Sequence, residues 1–260
     1  QNKKKCIWYC SAVVSFLLFL LLLGWTNHLA NTQDAQQMAG RWSEKKDVAQ
    51  ISCFFSSKAE VTEDTIQSFE YSLKNVLQEA SITETSENPS ARLWVDAYSA
   101  DGKITLVNGK NTLDANAIGI GGDFFMFHPL KLITGAYFSG NDLMQDYCII
   151  DQDAAWQLFG SNDVVGMTVY IGNVPHIVTG VVQRPDSRMD KAAGLNSTVV
   201  YVSYETLSAY GTNNGINHYE IVMPNPVDEF AYGKVKEGIG IDEKNVEIVE
   251  NSRRYSLPNR

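Results

Sequence analysis

An uninterrupted apolar run near the start of the chain constrains its fold more than any other feature. Residues 6–23 contain no charged residue and no proline, and they end in a leucine-rich stretch. A helix needs about 20 mostly apolar residues to cross a bilayer, and the run reaches this length with Gly24 and Trp25. The sequence therefore predicts that residues 1–25 comprise a short basic start followed by a transmembrane helix.

Three lysines at positions 3–5 stand directly before this run. Basic residues beside a membrane helix favour the cytoplasmic side, so we expect a single-pass protein of the cell membrane. The N-terminus is then cytoplasmic and residues 26–260 are extracytoplasmic. The alternative is a cleaved signal peptide, whose apolar core usually spans 7–15 residues before a small-x-small cleavage site. The segment after Gly24 has no such site, and this favours a retained helix.

Composition limits what the extracytoplasmic part can bind. The formal charge is −9, and three of the 21 basic residues are the lysines before the apolar run, so the remainder is strongly acidic. An acidic surface repels phosphate backbones, which argues against a nucleic acid partner. The roughly 235 residues beyond the helix suffice for one large domain or two small ones.

The chain has four cysteines, too few for a disulfide framework. Cys6 and Cys10 belong to the apolar run, which leaves Cys53 and Cys148 outside it. Each of these two lies in a short apolar stretch typical of a buried strand. The sequence is compatible with two buried thiols or with a single disulfide bond between them.

Helix and strand patterns predict an α+β fold beyond the membrane. Residues 26–46 suit a helix that continues the membrane segment outward as a stalk. Apolar spacing then predicts a helix from Thr62 to about Glu79, and Ala100-Asp-Gly102 predicts a hairpin turn. The predicted strands cover residues 48–56, 93–98, 104–107, 115–120, 147–151, 168–171, 176–182, 198–202, 218–223 and 245–249.

The middle of the chain differs in character from its two ends. Residues 124–210 contain short strands at close spacing and one predicted helix, Asp153–Phe159, which ends at Gly160. The C-terminal part returns to a strand–helix–strand pattern, with a helix predicted over Asp228–Lys236. We therefore expect the two ends of the domain to share one sheet, with the middle segment largely outside it.

Several short motifs in this middle region occur in an order that resembles a known family. They are Leu132–Phe138, Cys148–Asp151, Leu158–Gly160, Asp163–Gly172 and Ile177–Val182. Together they are similar to the MacB-like periplasmic core domain of MacB/FtsX-type ABC transporter permeases. Each motif is weak alone, and their order and spacing carry the resemblance.

The resemblance implies a division of the domain. A porter-like βαβ subdomain would comprise residues 47–123 and 211–252, with residues 124–210 inserted as a β-rich subdomain and residues 253–260 as a basic tail. The chain departs from the family at Ala136, where an arginine is common. Permeases of this family continue into further membrane helices, so the chain is either a part of a permease or a standalone relative.

The function implied by the resemblance is that of a non-catalytic extracytoplasmic domain. It would belong to an ABC-type permease subunit and would be coupled to the movement of membrane helices. Its partners would be the membrane, a separate ABC ATPase and other permease subunits. The alternative is an anchored extracellular binding or sensor module that has the same fold and no role in transport.

Motifs for catalysis, cofactors or metals are not found in the sequence. It has neither a P-loop nor a Gly-x-Ser-x-Gly elbow, so we predict no enzyme activity, no catalytic residue and no cofactor. Asp151-Gln-Asp153 lacks the other ligands of a calcium loop, and Asp153 is interpreted as a helix cap. The histidines lack the close spacing of zinc ligands, and we predict no metal site. They are His28, His128, His176 and His218.

Overall fold

The computed structural model describes five stretches of the chain. The described residues are 2–31, 34–43, 47–83, 92–184 and 197–253. The predicted basic tail over residues 253–260 lies outside them except for its first residue. The described residues form one long helix followed by a mixed α+β domain, and this confirms the predicted fold class.

Seven helices and eleven strands occur within the described stretches. The helices are α1 (Asn2–Asn31), α2 (Met38–Trp42), α3 (Glu63–Glu79), α4 (Phe124–Phe127), α5 (Gln152–Phe159), α6 (Tyr204–Tyr210) and α7 (Phe230–Gly238). The strands are β1 (Val48–Phe55), β2 (Val95–Asn108), β3 (Asn111–Gly122), β4 (Leu132–Gly135), β5 (Tyr147–Asp151), β6 (Thr168–Ile171), β7 (Val174–Val182), β8 (Val199–Ser203), β9 (Thr212–Asn213), β10 (His218–Pro224) and β11 (Val246–Glu250).

Helix α1 contains the predicted membrane segment. Among the described helices, α1 is the one that is long and apolar enough to cross a membrane. Its apolar stretch is Ser11–Leu29, and none of it is buried against the protein. The helix ends at Asn31, and residues 38–42 form the separate helix α2. The predicted stalk helix over residues 26–46 is therefore not continuous. Met38 and Ala39 are buried on the domain, which explains why the chain turns onto the sheet here.

The strands form one sheet in the order β11-β1-β10-β2-β3-β8-β5-β7-β4, with β6 and β9 attached to it. Strand β1 pairs antiparallel with β10, so the two ends of the domain share a sheet, as the sequence predicts. Strand β8 pairs in parallel with β3, from Asn116 opposite Val199 onward. The prediction that residues 124–210 lie largely outside this sheet is therefore wrong. Val200 and Val202 of β8 are fully buried, and pairing with β3 covers this apolar strand.

The Ala100-Asp-Gly102 segment lies within a strand rather than in a turn. Strand β2 continues through it, and Asp101 and Gly102 pair with Ile118 and Ala117 of β3. The turn between β2 and β3 falls at Gly109 and the residue after it, where Gly109 has φ of +60°. Glycine at the first position of a two-residue hairpin loop is a preferred arrangement.

The sheet has a hydrophobic core on each face. On one face the predicted stripe of α3 is buried together with α7, and Phe69 makes an edge-to-face contact with Tyr219 at 5.7 Å. The opposite face packs against α2, α4 and the segment that contains Phe138. Residues on one strand therefore alternate between two buried environments. This places Ser52 and Glu220 on the side of α2, and Cys53 and Tyr219 on the side of α3.

Helix α5 begins and ends close to the predicted positions. Gly160 ends it in the left-handed conformation, with φ of +73°. Its N-cap is Asp151, whose side chain accepts a hydrogen bond from the backbone N–H of Ala154 at 2.8 Å. The interpretation of Asp153 as the cap is therefore wrong by two residues. Helix α6 was not predicted, and Ser203 caps it in the same manner by accepting from the N–H of Thr206.

Candidate functional site

The junction between the membrane helix and the sheet is built around one buried glutamine. Gln50 of β1 accepts a hydrogen bond from the backbone N–H of Met38 at 2.9 Å, and its amide nitrogen donates to the carbonyl of Ala35 at 2.5 Å. Arg41 of α2 donates to the carbonyl of Met126 at 2.8 Å. The segment that follows α1 is thus bonded both to the sheet and to α4.

A buried carboxylate lies next to this glutamine on the same face of the sheet. Glu220 of β10 has a side chain that is only 4% exposed. One of its oxygens, Oε1, accepts from Ser52 Oγ at 3.0 Å and lies 3.5 Å from Gln50 Nε2. Asn251 donates in turn to Ser52 Oγ at 2.7 Å. This network fixes the orientation of the carboxylate.

Two histidines approach the carboxylate from its open side. His128, directly after α4, places Nε2 2.5 Å from Glu220 Oε2, and His218 of β10 places Nε2 3.9 Å from Glu220 Oε1. Each imidazole contacts a phenylalanine at 4.7 Å between ring centroids: His218 is stacked on Phe54, and His128 is tilted by 31° against Phe124. The three polar side chains, called the His–His–Glu cluster below, therefore converge in a defined arrangement.

The charges in the cluster shift its pKa values. Burial by itself raises the pKa of Glu220, but the hydrogen bond and charge of His128, with further contributions from His218 and Ser52, bring that pKa below its ordinary value. Burial lowers the pKa of His218, against the opposing effect of the Glu220 charge. Glu220 is therefore held as the anion.

The fold brings together histidines that are distant in sequence. His128 and His218 meet because β10 lies beside β2 and β2 beside β3, and the chain enters α4 directly after β3. His176 is instead buried in β7, with Nε2 3.1 Å from Thr206 Oγ1, and His28 lies on α1. The sequence contains one clue to the cluster, since a histidine two residues before a glutamate on a strand shares its face.

A second cluster of titratable side chains, which contains Glu70 and Asp96, lies on the opposite face of the sheet, under α3. Tyr98 donates to a carboxylate oxygen of Glu63, and Tyr219 donates to Asp96 Oδ2 at 2.9 Å. Burial, followed by the charge of Asp96 and a hydrogen bond with it, raises the pKa of Glu70 to about 8. Burial is also the largest cause of the raised pKa of Asp96. The folded domain therefore holds a proton here at a pH where free carboxyl groups have lost theirs.

Stability should fall as pH rises because of Glu70. An unfolded glutamate loses its proton near its ordinary pKa of 4.5, whereas the folded one retains it up to about 8. Between these values the folded state binds more protons than the unfolded state, so the free energy of unfolding decreases with rising pH. The contribution of Glu70 to stability is fully present below pH 4.5 and is lost as the pH rises through about 8. Glu70→Gln should flatten this dependence in urea unfolding measured across that range.

Glu79→Gln is the matched control, because Glu79 is exposed at the end of the same helix. It should leave the pH profile of the wild type unchanged. A Glu70→Gln profile as steep as that of the wild type would show that the proton resides elsewhere.

A third polar site joins the start of α5 to the start of β8. Arg184 donates from Nε and Nη2 to Asp151 Oδ2 at 3.0 and 2.7 Å, and the backbone N–H of Val199 donates to the same oxygen at 3.1 Å. Asp153 also pairs with Arg184, at 2.5 Å. These contacts border a cavity of about 410 Å³ that Lys131 and Tyr201 also line. The Asp151–Asp153 pair thus holds an arginine.

Cys53 and Cys148 are free and buried thiols, which settles the alternative left open by the sequence. They lie on β1 and β5, which are well separated in the sheet order. Burial raises the pKa of Cys148 to about 12 and raises that of Cys53 further. Neither thiol forms a reactive thiolate near neutral pH.

Comparison with known proteins places these features in a family. The chain matches the family model of the MacB-like periplasmic core domain over residues 15–248. It is 32% identical to the macrolide export ATP-binding/permease protein MacB of Chromobacterium violaceum over 99 residues, which are 37% of this chain and 15% of that protein. It is 30% identical to the MacB of Pasteurella multocida over 98 residues, which are 37% of this chain and 14% of that protein. The chain thus matches only a small part of these relatives.

Solved structures of two extracytoplasmic domains are also similar. The periplasmic region of MacB from Actinobacillus actinomycetemcomitans is 20% identical, with a TM-score of 0.48 over 78% of this chain and 89% of that one. The extracellular domain of the ABC-type transporter YknZ from Gram-positive bacteria is 18% identical, with a TM-score of 0.47 over 77% and 99%. The family match covers the second half of the apolar run and nearly all of the described domain, and it confirms the resemblance predicted from the motifs. The chain therefore belongs to the MacB-like periplasmic core domain family.

Proposed function

We propose that this chain supplies the membrane-anchored extracytoplasmic domain of an ABC-type transporter permease subunit. The observation that carries the proposal is the family match, which begins within the apolar helix and extends over the domain beyond it. The domain has no catalytic role in this proposal. ATP hydrolysis is the task of a separate ABC ATPase, and other permease subunits complete the membrane part.

The domain is oriented by its single N-terminal helix. The lysines at positions 3–5 lie in the cytoplasm, α1 crosses the cell membrane, and residues 26–260 lie outside it. Residues 47–123 and 211–252 act as a porter-like subdomain, and residues 124–210 as a β-rich insertion that is continuous with its sheet. This division follows the strand–helix–strand segments at both ends of the domain.

Movement of the membrane helices reaches the sheet through the junction around Gln50. Transmission of a displacement requires contacts that keep their geometry, and buried hydrogen bonds do so better than exposed ones. Gln50 is fully buried and bonded to Ala35 and Met38, both of which follow α1. Displacement of α1 would therefore shift strand β1 directly.

Energy transfer between the domain and the bilayer provides the test. Tyr71 on α3 is 71% exposed, so Tyr71→Cys can be labelled with a membrane-impermeant fluorophore. Right-side-out vesicles from the native cell, with acceptor lipids in the outer leaflet, are loaded with MgATP or MgADP. We expect labelling without permeabilisation and a transfer efficiency that differs between the two nucleotides. Introducing Gln50→Ala into the Tyr71→Cys chain should reduce that difference. Gln67→Ala, which changes an exposed glutamine of α3, should preserve it.

Two outcomes would contradict the proposal in different ways. Labelling that requires permeabilisation would reverse the topology. Labelling from outside with no nucleotide-dependent change would favour the anchored binding or sensor module.

A further inference from the structure

Three side chains on the α2 face of the sheet have the composition and spacing of a metal-binding site. His128, His218 and Glu220 each offer one ligand atom, and these atoms all lie within 4.8 Å of one another. Zinc–nitrogen bonds of about 2.0–2.1 Å place neighbouring ligands of a tetrahedron roughly 3.4 Å apart. His218 Nε2 lies 3.9 Å from Glu220 Oε1, close to that value, whereas His128 Nε2 contacts Glu220 Oε2 directly at 2.5 Å and would have to move away from it to admit an ion.

One imidazole nitrogen of the cluster has no hydrogen-bond partner among the described residues. His218 Nε2 is buried without a hydrogen-bond partner, and it lies too far from Glu220 Oε1 for a hydrogen bond. A buried polar atom that lacks a partner is costly, and native proteins rarely retain one without a purpose. Glu220 Oε2, also buried, contacts His128 Nε2 at 2.5 Å. A cation between the three side chains would give His218 Nε2 the partner it lacks and would replace the contact between Glu220 Oε2 and His128.

The surroundings hold the ligands in place, as outer-shell groups do in metal sites. Ser52 donates to Glu220 Oε1, and Asn251 donates to Ser52, so the carboxylate is fixed from behind. Phe54 and Phe124 pack against the two imidazoles and restrict their rotation. The side chains of His128 and His218 are 23% and 20% exposed, so the cluster lies close to the protein surface although His218 Nε2 itself is buried.

The donor set selects the class of metal. Two imidazole nitrogens and one carboxylate oxygen suit zinc and neighbouring transition metals, whereas calcium and magnesium prefer sites made only of oxygen. Three protein ligands leave a fourth position for water. We propose that His128, His218 and Glu220 bind one divalent transition metal ion of the zinc class. This site does not depend on the proposed transport function.

Metal binding by the full chain in detergent micelles tests this directly. After chelator treatment and dialysis, titration with Zn²⁺ should show one saturable site per chain, and Co²⁺ should develop the intense visible absorption of tetrahedral coordination. His128→Ala, His218→Ala and Glu220→Gln should each abolish both signals. Ser52→Ala, which removes an outer-shell donor, should weaken binding by about tenfold.

His28→Ala is the matched control, because His28 lies on α1 and belongs to no ligand group within the described residues. Circular dichroism shows whether each variant is folded. X-ray absorption of the wild-type chain with bound zinc keeps the test valid if a variant unfolds, since it should show nitrogen and oxygen ligands with imidazole scattering. Absence of saturable Zn²⁺ uptake by the wild type, or uptake that the cluster variants retain, would overturn the proposal.

Discussion

Asp151→Ala is expected to destabilise the domain by about 3–5 kcal/mol, the usual cost of removing one partner from a buried ion pair. The Asp151 side chain is 3% exposed and that of Arg184 is 17% exposed. The same carboxylate accepts from the backbone N–H groups of Ala154 and Val199. The substitution therefore removes the acceptor for one arginine and two backbone donors at once. Urea unfolding of the full chain in micelles, followed by circular dichroism, measures the loss.

Two further variants separate the contributions to this loss. Asp153 pairs with the same arginine, but its side chain is 45% exposed, so Asp153→Ala should cost at most about 1 kcal/mol. Asp151→Asn retains a capping oxygen and removes the charge, so it should fall between the two alanine variants. If Asp151→Ala were as mild as Asp153→Ala, the buried pair would not stabilise the domain.

Gly102→Ala is expected to cost about 3 kcal/mol, near the upper end of the range for overpacking in a rigid site. A Cβ at this position would lie 2.3 Å from the backbone oxygen of Thr212 and 3.0 Å from a methyl carbon of Leu207. Backbone cannot rotate away as a flexible side chain does, so β9 and α6 would have to move from β2. Urea unfolding of the variant should give a lower midpoint with a similar slope.

Gly233→Ala provides a control of the opposite sign. Gly233 lies within α7, and no atom stands within 4 Å of the position that its Cβ would take. Alanine is favoured over glycine in a helix by about 0.5–1 kcal/mol, so this variant should be slightly more stable than the wild type. Equal effects of the two substitutions would mean that the close approach at Gly102 is not the cause.

Local patterns in the sequence predicted much of the secondary structure. The apolar stripe of α3 comprises Ile66, Phe69, Leu73, Val76 and Leu77. All of these are buried except Val76, which is half-buried, because helical spacing places the stripe on one face. Gly172 and Asn173, a residue pair typical of tight turns, both have positive φ, as a tight hairpin turn requires. These features depend on neighbours a few residues away, which the sequence shows directly.

Features that depend on distant contacts were not predicted correctly. Gly102 suggested a turn, but it is needed because the backbone of Thr212 comes close to it. The stalk was expected to continue as a helix, but Met38 gains more by packing on the sheet than by extending α1. The approach of His128 to His218 depends on which strands become neighbours in the sheet, and residue types alone do not determine this.

The position of β1 in the sheet also determines when the domain can be completed. This strand leaves the ribosome before its two neighbours, because these are β10 and β11 at the other end of the described chain. Contacts of such long sequence separation form slowly, because a large loop must close first. Until His218–Glu250 has been synthesised and exported, Val48–Phe55 has two unpaired edges and an apolar surface. A prematurely terminated chain would therefore carry an aggregation-prone strand tethered to the bilayer, and it should be an early substrate for envelope proteases.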